Sequence, residues 1–174
     1  MPVPPRWAAG AGAVLALAAA VAACSNSNHI SGQAAISPAA AVSEYLAEES
    51  HVDLAPTWIW PTSVGFPTAG PDGKPMLYQS GYGTTQADHY WYCSWETTLV
   101  SATTSPAVAK RARQELARVR QTHMYIADIL PVDRPRFNKI LDSAIHGRTR
   151  LMQRDVKLNC PKEPAAKTSS TAGQ

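Results

Sequence analysis

The chain has 174 residues, with 16 Lys and Arg against 13 Asp and Glu, and a formal net charge of +3. This length suits one domain of ordinary size with its own hydrophobic core. A positive charge this mild gives no argument for nucleic acid as a partner.

The first residues are typical of an export signal. Arg6 is the only cation of a short n-region, and residues 7–21 are uncharged and rich in Ala, Gly, Val and Leu. An apolar stretch of about 15 residues lies within the range of signal peptides and is short for a membrane-spanning helix. The stretch ends in Val-Ala-Ala-Cys at positions 21–24.

These four residues resemble the lipobox of bacterial lipoproteins, an aliphatic residue and two small residues before a cysteine. The resemblance covers residues 1–24 only, and implies that Cys24 carries diacylglycerol and that residues 1–23 are a cleaved signal peptide. Acyl chains contribute about 0.8 kcal/mol per buried methylene group, so two chains hold a protein at a bilayer. We therefore expect a lipid-anchored protein on the extracytoplasmic face of the cell membrane. The alternatives are an ordinary signal cleaved near Ala23, with Cys24 as a disulfide partner, and an uncleaved anchor.

Two segments are small, polar and aperiodic. Residues 24–37 are expected to form a flexible tether and residues 161–174 a disordered tail, so that 38–160 is the single helical domain. With Cys24 acylated, Cys93 and Cys160 remain. An even pair in an oxidising compartment is expected to form one disulfide.

Helix start signals occur twice in this domain. Ser-Pro at 37–38 and again at 105–106 places a hydroxyl N-cap before a proline at the first helical position. The first signal predicts a short helix over 38–49. The second predicts the longest helix, over 105–130, whose apolar residues recur at spacings of three and four.

The stretch 84–104 fits two patterns. It alternates like a strand, but four apolar residues also share one helical face, at spacings i, i+4, i+8 and i+11: Trp91, Trp95, Leu99 and Ala102. Thr85 to Asp88 fits a capping box at the start of a helix. Because the stretch is long for a strand and lacks Gly and Pro, a helix is predicted, with a strand as the alternative.

A final helical pattern begins at Pro135 and is interrupted by Gly147. If sequential helices pack antiparallel, Cys93 lies about 15 Å below the top of its helix, whereas an unbroken final helix carries Cys160 roughly to the top. A disulfide needs α-carbons about 4.4–6.8 Å apart. The final helix must therefore bend or end early, for which Gly147 is the candidate, or the chain after Leu158 folds back, or the bridge is absent.

Together these patterns predict a mostly α protein. It would be a small bundle of about three main helices plus a short N-terminal helix, with a long irregular loop over 51–83 that is rich in Trp, Pro and Gly.

Four aromatic residues are candidate contacts for a partner or ligand: Trp58, Trp60, Tyr90 and Tyr92. In the alternative, the two tryptophans plug the end of the bundle and the tyrosines dock on the loop.

Four cations of the longest helix are candidate membrane contacts: Lys110, Arg113, Arg118 and Arg120. In the alternative they are a solvated face, paired with Glu44, Glu48 and Glu49.

Catalytic signatures are missing from the sequence: there is no Gly-x-Ser-x-Gly, Ser-x-x-Lys, His-Glu-x-x-His, Cys-x-x-Cys or Gly-rich phosphate loop. Two weaker groups remain. His89, Cys93 and Glu96 share a helix face, as zinc ligands or as a nucleophile with its base, and His123 can pair with Asp128 or His146.

The sequence therefore favours a non-enzymatic interaction or accessory module at the cell envelope, with an unknown envelope protein as partner and no cofactor. The alternatives are a small envelope enzyme using a His/carboxylate pair, and a ligand-binding lipoprotein using the Trp58/Trp60 loop.

Overall fold

The computed structural model describes residues 34–161; the predicted signal peptide, Cys24, most of the tether and nearly all of the tail lie outside the described residues. The mostly α fold is confirmed. Five α-helices and two very short strands follow one another in this order: β1 (Ala35–Ile36), α1 (Pro38–Glu49), β2 (Tyr78–Gln79), α2 (Tyr82–Val100), α3 (Pro106–Ala117), α4 (Arg134–Ile145) and α5 (Arg150–Asn159). A 3-10 turn at Arg118–Gln121 and a π turn at Met124–Asp128 lie between α3 and α4.

Helix α2 is the centre of the fold. It packs against α1 on one side and against α3 and α5 on the other. The largest fully buried side chains of the core come from α2 and the helices after it: Trp91, Trp95, Leu116, Leu141 and Met152. Because α2 is surrounded, every residue from 91 to 96 is buried.

Both Ser-Pro start signals are confirmed. Ser37 Oγ accepts a hydrogen bond from Ala40 N at the start of α1, and Ser105 Oγ accepts from Val108 N at the start of α3. The prediction of a helix rather than a strand over 84–104 is also confirmed, although the helix ends at Val100.

The start of α2 differs from the predicted capping box at Thr85. The helix begins at Tyr82, after Gly81, which has a φ of 91° and no side chain to act as a cap. The Glu44 carboxylate of α1 accepts from Gly81 N at 2.9 Å and from Gly83 N at 3.1 Å. A distant carboxylate thus satisfies N–H groups that a local cap usually satisfies.

The single long helix predicted over 105–130 is wrong. Helix α3 ends at Ala117, and Thr122 is extended, with a ψ of 157°. Asp88 of α2 accepts a hydrogen bond from Met124 N at 2.9 Å in the core, where the π turn begins. The buried carboxylate of Asp88 therefore takes the place of a helical partner for that N–H.

The break at Gly147 is the alternative that the structure adopts. Helix α4 ends at Ile145, Gly147 has a φ of 85°, and α5 runs back toward α2. Cys160 then reaches Cys93, with an α-carbon separation of 5.4 Å, and the predicted disulfide is present.

β1 and β2 pair antiparallel, so the last residues of the predicted tether, Ala35 and Ile36, lie against Gln79 and Tyr78. Between α1 and β2 the chain is irregular, and side chains of α2 hold it. Among residues 34–161, no helix is long and apolar enough to cross a bilayer.

Candidate functional site

The candidate site lies where the irregular loop meets α1 and α2. Trp58 and Trp60 both contact the Tyr90 ring, each with centroids 5.4 Å apart, and Trp60 also contacts Tyr45 of α1 at 5.7 Å. Tyr90 Oη donates to the Ile59 carbonyl at 2.9 Å. The aromatic residues of the loop thus dock on Tyr90, and Trp58 is only 8% exposed.

A cavity of about 480 Å³ opens beside this aromatic cluster. Its walls combine aromatic rings of α1, the loop and α2, polar side chains of α2, and the end of α5: Tyr45, Phe66, Tyr90, Gln86, His89 and Cys160. A mostly apolar concave surface with a few polar groups is the usual form of a small-molecule site. We call this cavity the aromatic pocket.

The disulfide lies against this pocket with one titratable group beside each sulfur. Cys93 Sγ is 3.7 Å from His89 Nε2, and Cys160 Sγ is 3.6 Å from Glu96 Oε2. The predicted grouping of His89, Cys93 and Glu96 therefore exists in space. Both cysteines are bonded to each other, so neither offers the thiolate that a nucleophile or a zinc ligand needs. Among residues 34–161, no group of three or more His, Cys, Asp or Glu is placed to hold a metal ion.

Burial determines the charge of the groups next to the disulfide. It lowers the pKa of His89, against the opposing effect of the Asp155 carboxylate. Burial also raises the pKa of Glu96 well above its usual value, and Asp155 adds to that effect. Both shifts favour the neutral forms.

Tyr92 is a correction to the predicted contact residues. Its ring is 3% exposed and packs on Phe137 at a centroid distance of 5.4 Å, within the core. Helical spacing from Trp91 and Trp95 placed Tyr92 on another face of α2, but α4 covers that face. Tyr92 is therefore a core residue, unlike Tyr90, which lines the pocket.

The carboxylate that lies near His123 is neither of the two partners predicted for it. Asp128 contacts the Thr85 hydroxyl, and His146 Nδ1 donates to the Asp142 carbonyl at 2.7 Å, so each has a local use. The carboxylate that His123 influences is Asp88, whose pKa burial raises to about 6 against the hydrogen bond from Met124 N.

The structural roles of Asp88 and Glu44 were not predicted from the sequence. Asp88 lies three and seven residues before Trp91 and Trp95, so its place on their buried face was visible in the spacing. Glu44 carried no comparable signal.

The four cations of the predicted basic face differ in what they contact. Arg118 pairs with Glu115 at 2.9 Å, and Arg120 pairs with Asp142 at 2.7 Å and Asn138 at 3.0 Å. Within residues 34–161, Lys110 and Arg113 make no ion pair. The acidic partners expected on α1 are not used, because Glu44 binds the start of α2 instead.

Comparisons of the chain with protein-family models, with curated proteins and with solved structures found no match.

Proposed function

We propose that the protein is a lipid-anchored, non-enzymatic interaction module on the extracytoplasmic side of the cell envelope. The disulfide between Cys93 and Cys160 carries this proposal. Such bonds persist in oxidising compartments outside the cytoplasm. The lipobox resemblance at 21–24 predicts the same side of the membrane from an independent part of the chain.

Several titratable groups are engaged in structural contacts, which favours an interaction protein over an enzyme. Cys93 is consumed by the disulfide, Asp88 holds Met124 N, and His146 bonds the end of its own helix. An enzyme needs such groups free to meet a substrate. Within residues 34–161, the aromatic pocket and the basic C-terminal helices are among the surfaces free for function.

Metabolic labelling with a palmitate analogue tests the anchor. Labelling should be lost in Cys24→Ala and retained in Cys160→Ala, a matched control that frees a thiol elsewhere in the same chain. Retained labelling in Cys24→Ala contradicts the anchor. Crosslinking in native membranes then identifies what the domain touches, and a protein partner is the expected result.

A second candidate function is ligand binding in the aromatic pocket, which its volume of about 480 Å³ and its aromatic walls favour. Gly65 lines this pocket, and a Cβ there meets nothing within 4 Å. Gly65→Phe should therefore fill the pocket without disturbing the fold. Anilinonaphthalene sulfonate, an aromatic fluorescent probe, should bind the original chain and lose affinity in Gly65→Phe. Equal binding by Gly65→Phe and by the control Ser63→Ala counts against this function.

A further inference from the structure

Four large apolar side chains between the π turn and the end of α5 are exposed. They are Ile126, Leu130, Val132 and Leu158, at 60%, 59%, 78% and 76%. Leu130 and Leu158 line one cavity of about 420 Å³ although they are 28 residues apart in the chain. Grouped apolar side chains on a water-facing surface indicate a contact site. We call these four residues the tether-side face.

This face lies at the end of the domain where the chain arrives from Cys24. Ala34 accepts a hydrogen bond from Ser80 N at 2.9 Å, so the described chain begins beside the start of α2. The π turn meets the same place, because a Cβ on Gly81 would lie 2.1 Å from His123 Nε2.

Two further contacts connect this end of the domain with the exposed residues. The Thr85 hydroxyl of α2 contacts the Asp128 carboxylate of the π turn. Asp128 lines the same cavity as Leu130 and Leu158. Ala34 is ten positions after Cys24 in the chain. A segment of this length spans at most about 35 Å when fully extended.

The charges next to the face are mixed, with a net positive balance in the segment that carries it. Residues 124–161 contain seven Lys and Arg against four Asp. Arg136, Lys139 and Arg154 line an adjoining cavity of about 290 Å³, which also includes Leu158. Three carboxylates, Asp128, Asp133 and Asp155, line the cavity that Leu130 and Leu158 share, together with Arg136.

We infer that the tether-side face docks on an anionic bilayer surface, as a second membrane contact beside the lipid on Cys24. The apolar side chains enter the boundary between headgroups and acyl chains, and the neighbouring cations meet lipid phosphates. The inference rests on the proposed anchoring, which brings the domain to the bilayer. It assigns the contact to α4, α5 and the π turn. The sequence predicted the contact on α3 and the 3-10 turn after it, where Arg118 and Arg120 are engaged in ion pairs.

Vesicle binding by the unlipidated chain tests the face without the anchor. The probe is a vesicle of phosphatidylcholine with about one third phosphatidylglycerol, and the protein is residues 24–174 with Cys24→Ser. This chain should sediment with these vesicles and not with pure phosphatidylcholine. Val132→Glu combined with Leu158→Glu should lower binding at least about tenfold, and each of Arg136→Gln, Lys139→Gln and Arg154→Gln about fivefold.

The matched control is Leu46→Glu, since Leu46 is 52% exposed but lies on the acidic helix α1. It should bind vesicles like the original chain. Circular dichroism of each variant verifies the fold. As a second measurement, an environment-sensitive fluorophore on Val132→Cys should shift to the blue with the vesicles, and one on Leu46→Cys should not.

Three results overturn the inference: no binding by the original chain, equal binding by the glutamate variant, or equal blue shifts at positions 132 and 46. Crosslinks from position 132 to a protein in native membranes, without vesicle binding, would assign the face to a protein partner instead. Because the vesicle experiment uses a chain without Cys24, a failure of vesicle binding is distinguishable from a failure of palmitate labelling.

Discussion

The two sides of α2 are stabilised in different ways. On the side of α1 and the irregular loop, side chains of α2 bond to loop backbone: Trp95 Nε1 donates to the Asp53 carbonyl, and Ser94 Oγ accepts from Ala55 N. On the side of α3, α4 and α5, apolar side chains such as Leu116 and Leu141 fill the core. An irregular segment lacks a regular hydrogen-bond pattern and needs polar partners, whereas helices satisfy their own backbone and can present apolar faces.

The two sides also use charge differently. Residues 34–100 contain one Lys and seven Asp or Glu, and residues 101–161 contain twelve Lys or Arg and five Asp or Glu. Glu44, Asp88 and Glu96 of the acidic part lie against backbone N–H groups or in the core. Most cations of the basic part are at the surface. At these three positions, carboxyl groups of the acidic part therefore serve the fold.

Removing the disulfide tests the apolar side, with the largest expected effect. The Cys93→Ala, Cys160→Ala double variant should lose about 4 kcal/mol in free energy of unfolding, because the bridge closes a loop with a sequence separation of 67 residues. Urea unfolding with and without a reductant measures this. The reductant should destabilise the original chain and leave the double variant unchanged; no effect on the original chain would contradict the prediction.

Gly83→Ala tests the opposite side, where α1 and α2 touch through backbone. A Cβ on Gly83 would lie 1.9 Å from the Ala41 carbonyl oxygen, so the helices must separate. We expect a loss of about 3 kcal/mol by thermal unfolding. Gly147→Ala is the control, because its φ of 85° gives only a conformational cost of about 1–2 kcal/mol, with nothing within 4 Å. A larger loss for Gly147→Ala than for Gly83→Ala would refute the close contact.

Asp88→Asn tests the group that joins α2 to the π turn. The pKa of Asp88 is raised from 3.8 to about 6 in the folded chain, so the folded state binds its proton more tightly than the unfolded state. The stability from this group is fully present below pH 4 and is lost as the pH rises through 6.

The asparagine keeps an oxygen for Met124 N but does not titrate. At about 1.4 kcal/mol per pKa unit, the original chain should lose about 2 kcal/mol more than the variant between pH 4 and pH 7. Glu96 titrates in both chains, so only their difference is diagnostic. Parallel stability curves from urea unfolding at each pH would exclude Asp88 as the source.

Local signals in the sequence were sufficient for the features that depend on neighbouring residues. The two Ser-Pro starts and the break at Gly147 each depend on the backbone preferences of two or three adjacent residues. A disulfide between Cys93 and Cys160 limits the distance between two residues that are far apart in the chain. This limit made the break at Gly147 predictable.

The features that sequence reasoning missed depend on distant partners. The start of α2 depends on Glu44, which is 37 residues from Gly81, and the break after α3 depends on Asp88, which is 36 residues from Met124. Periodicity placed Tyr92 off the Trp91 face but could not show that α4 covers it. In the candidate site, the cluster of aromatic residues could be predicted from the sequence. The pocket could not, because it forms only where the end of α5 returns to α2.

Glu44→Gln gives the smallest of the expected effects and tests the structural use of acidic charge directly. The Glu44 carboxylate accepts from Gly81 N and Gly83 N, next to the positive end of the α2 dipole. Glutamine has one acceptor oxygen and no charge, so one bond and the charge–dipole attraction are lost together, at a cost of about 1–2 kcal/mol. Glu49→Gln removes the same charge from α1 away from the start of α2, and should cost less than about 0.5 kcal/mol. If urea unfolding gives equal losses for both, then the acidity of α1 acts as general surface charge, and the contrast between the two sides of α2 is one of packing alone.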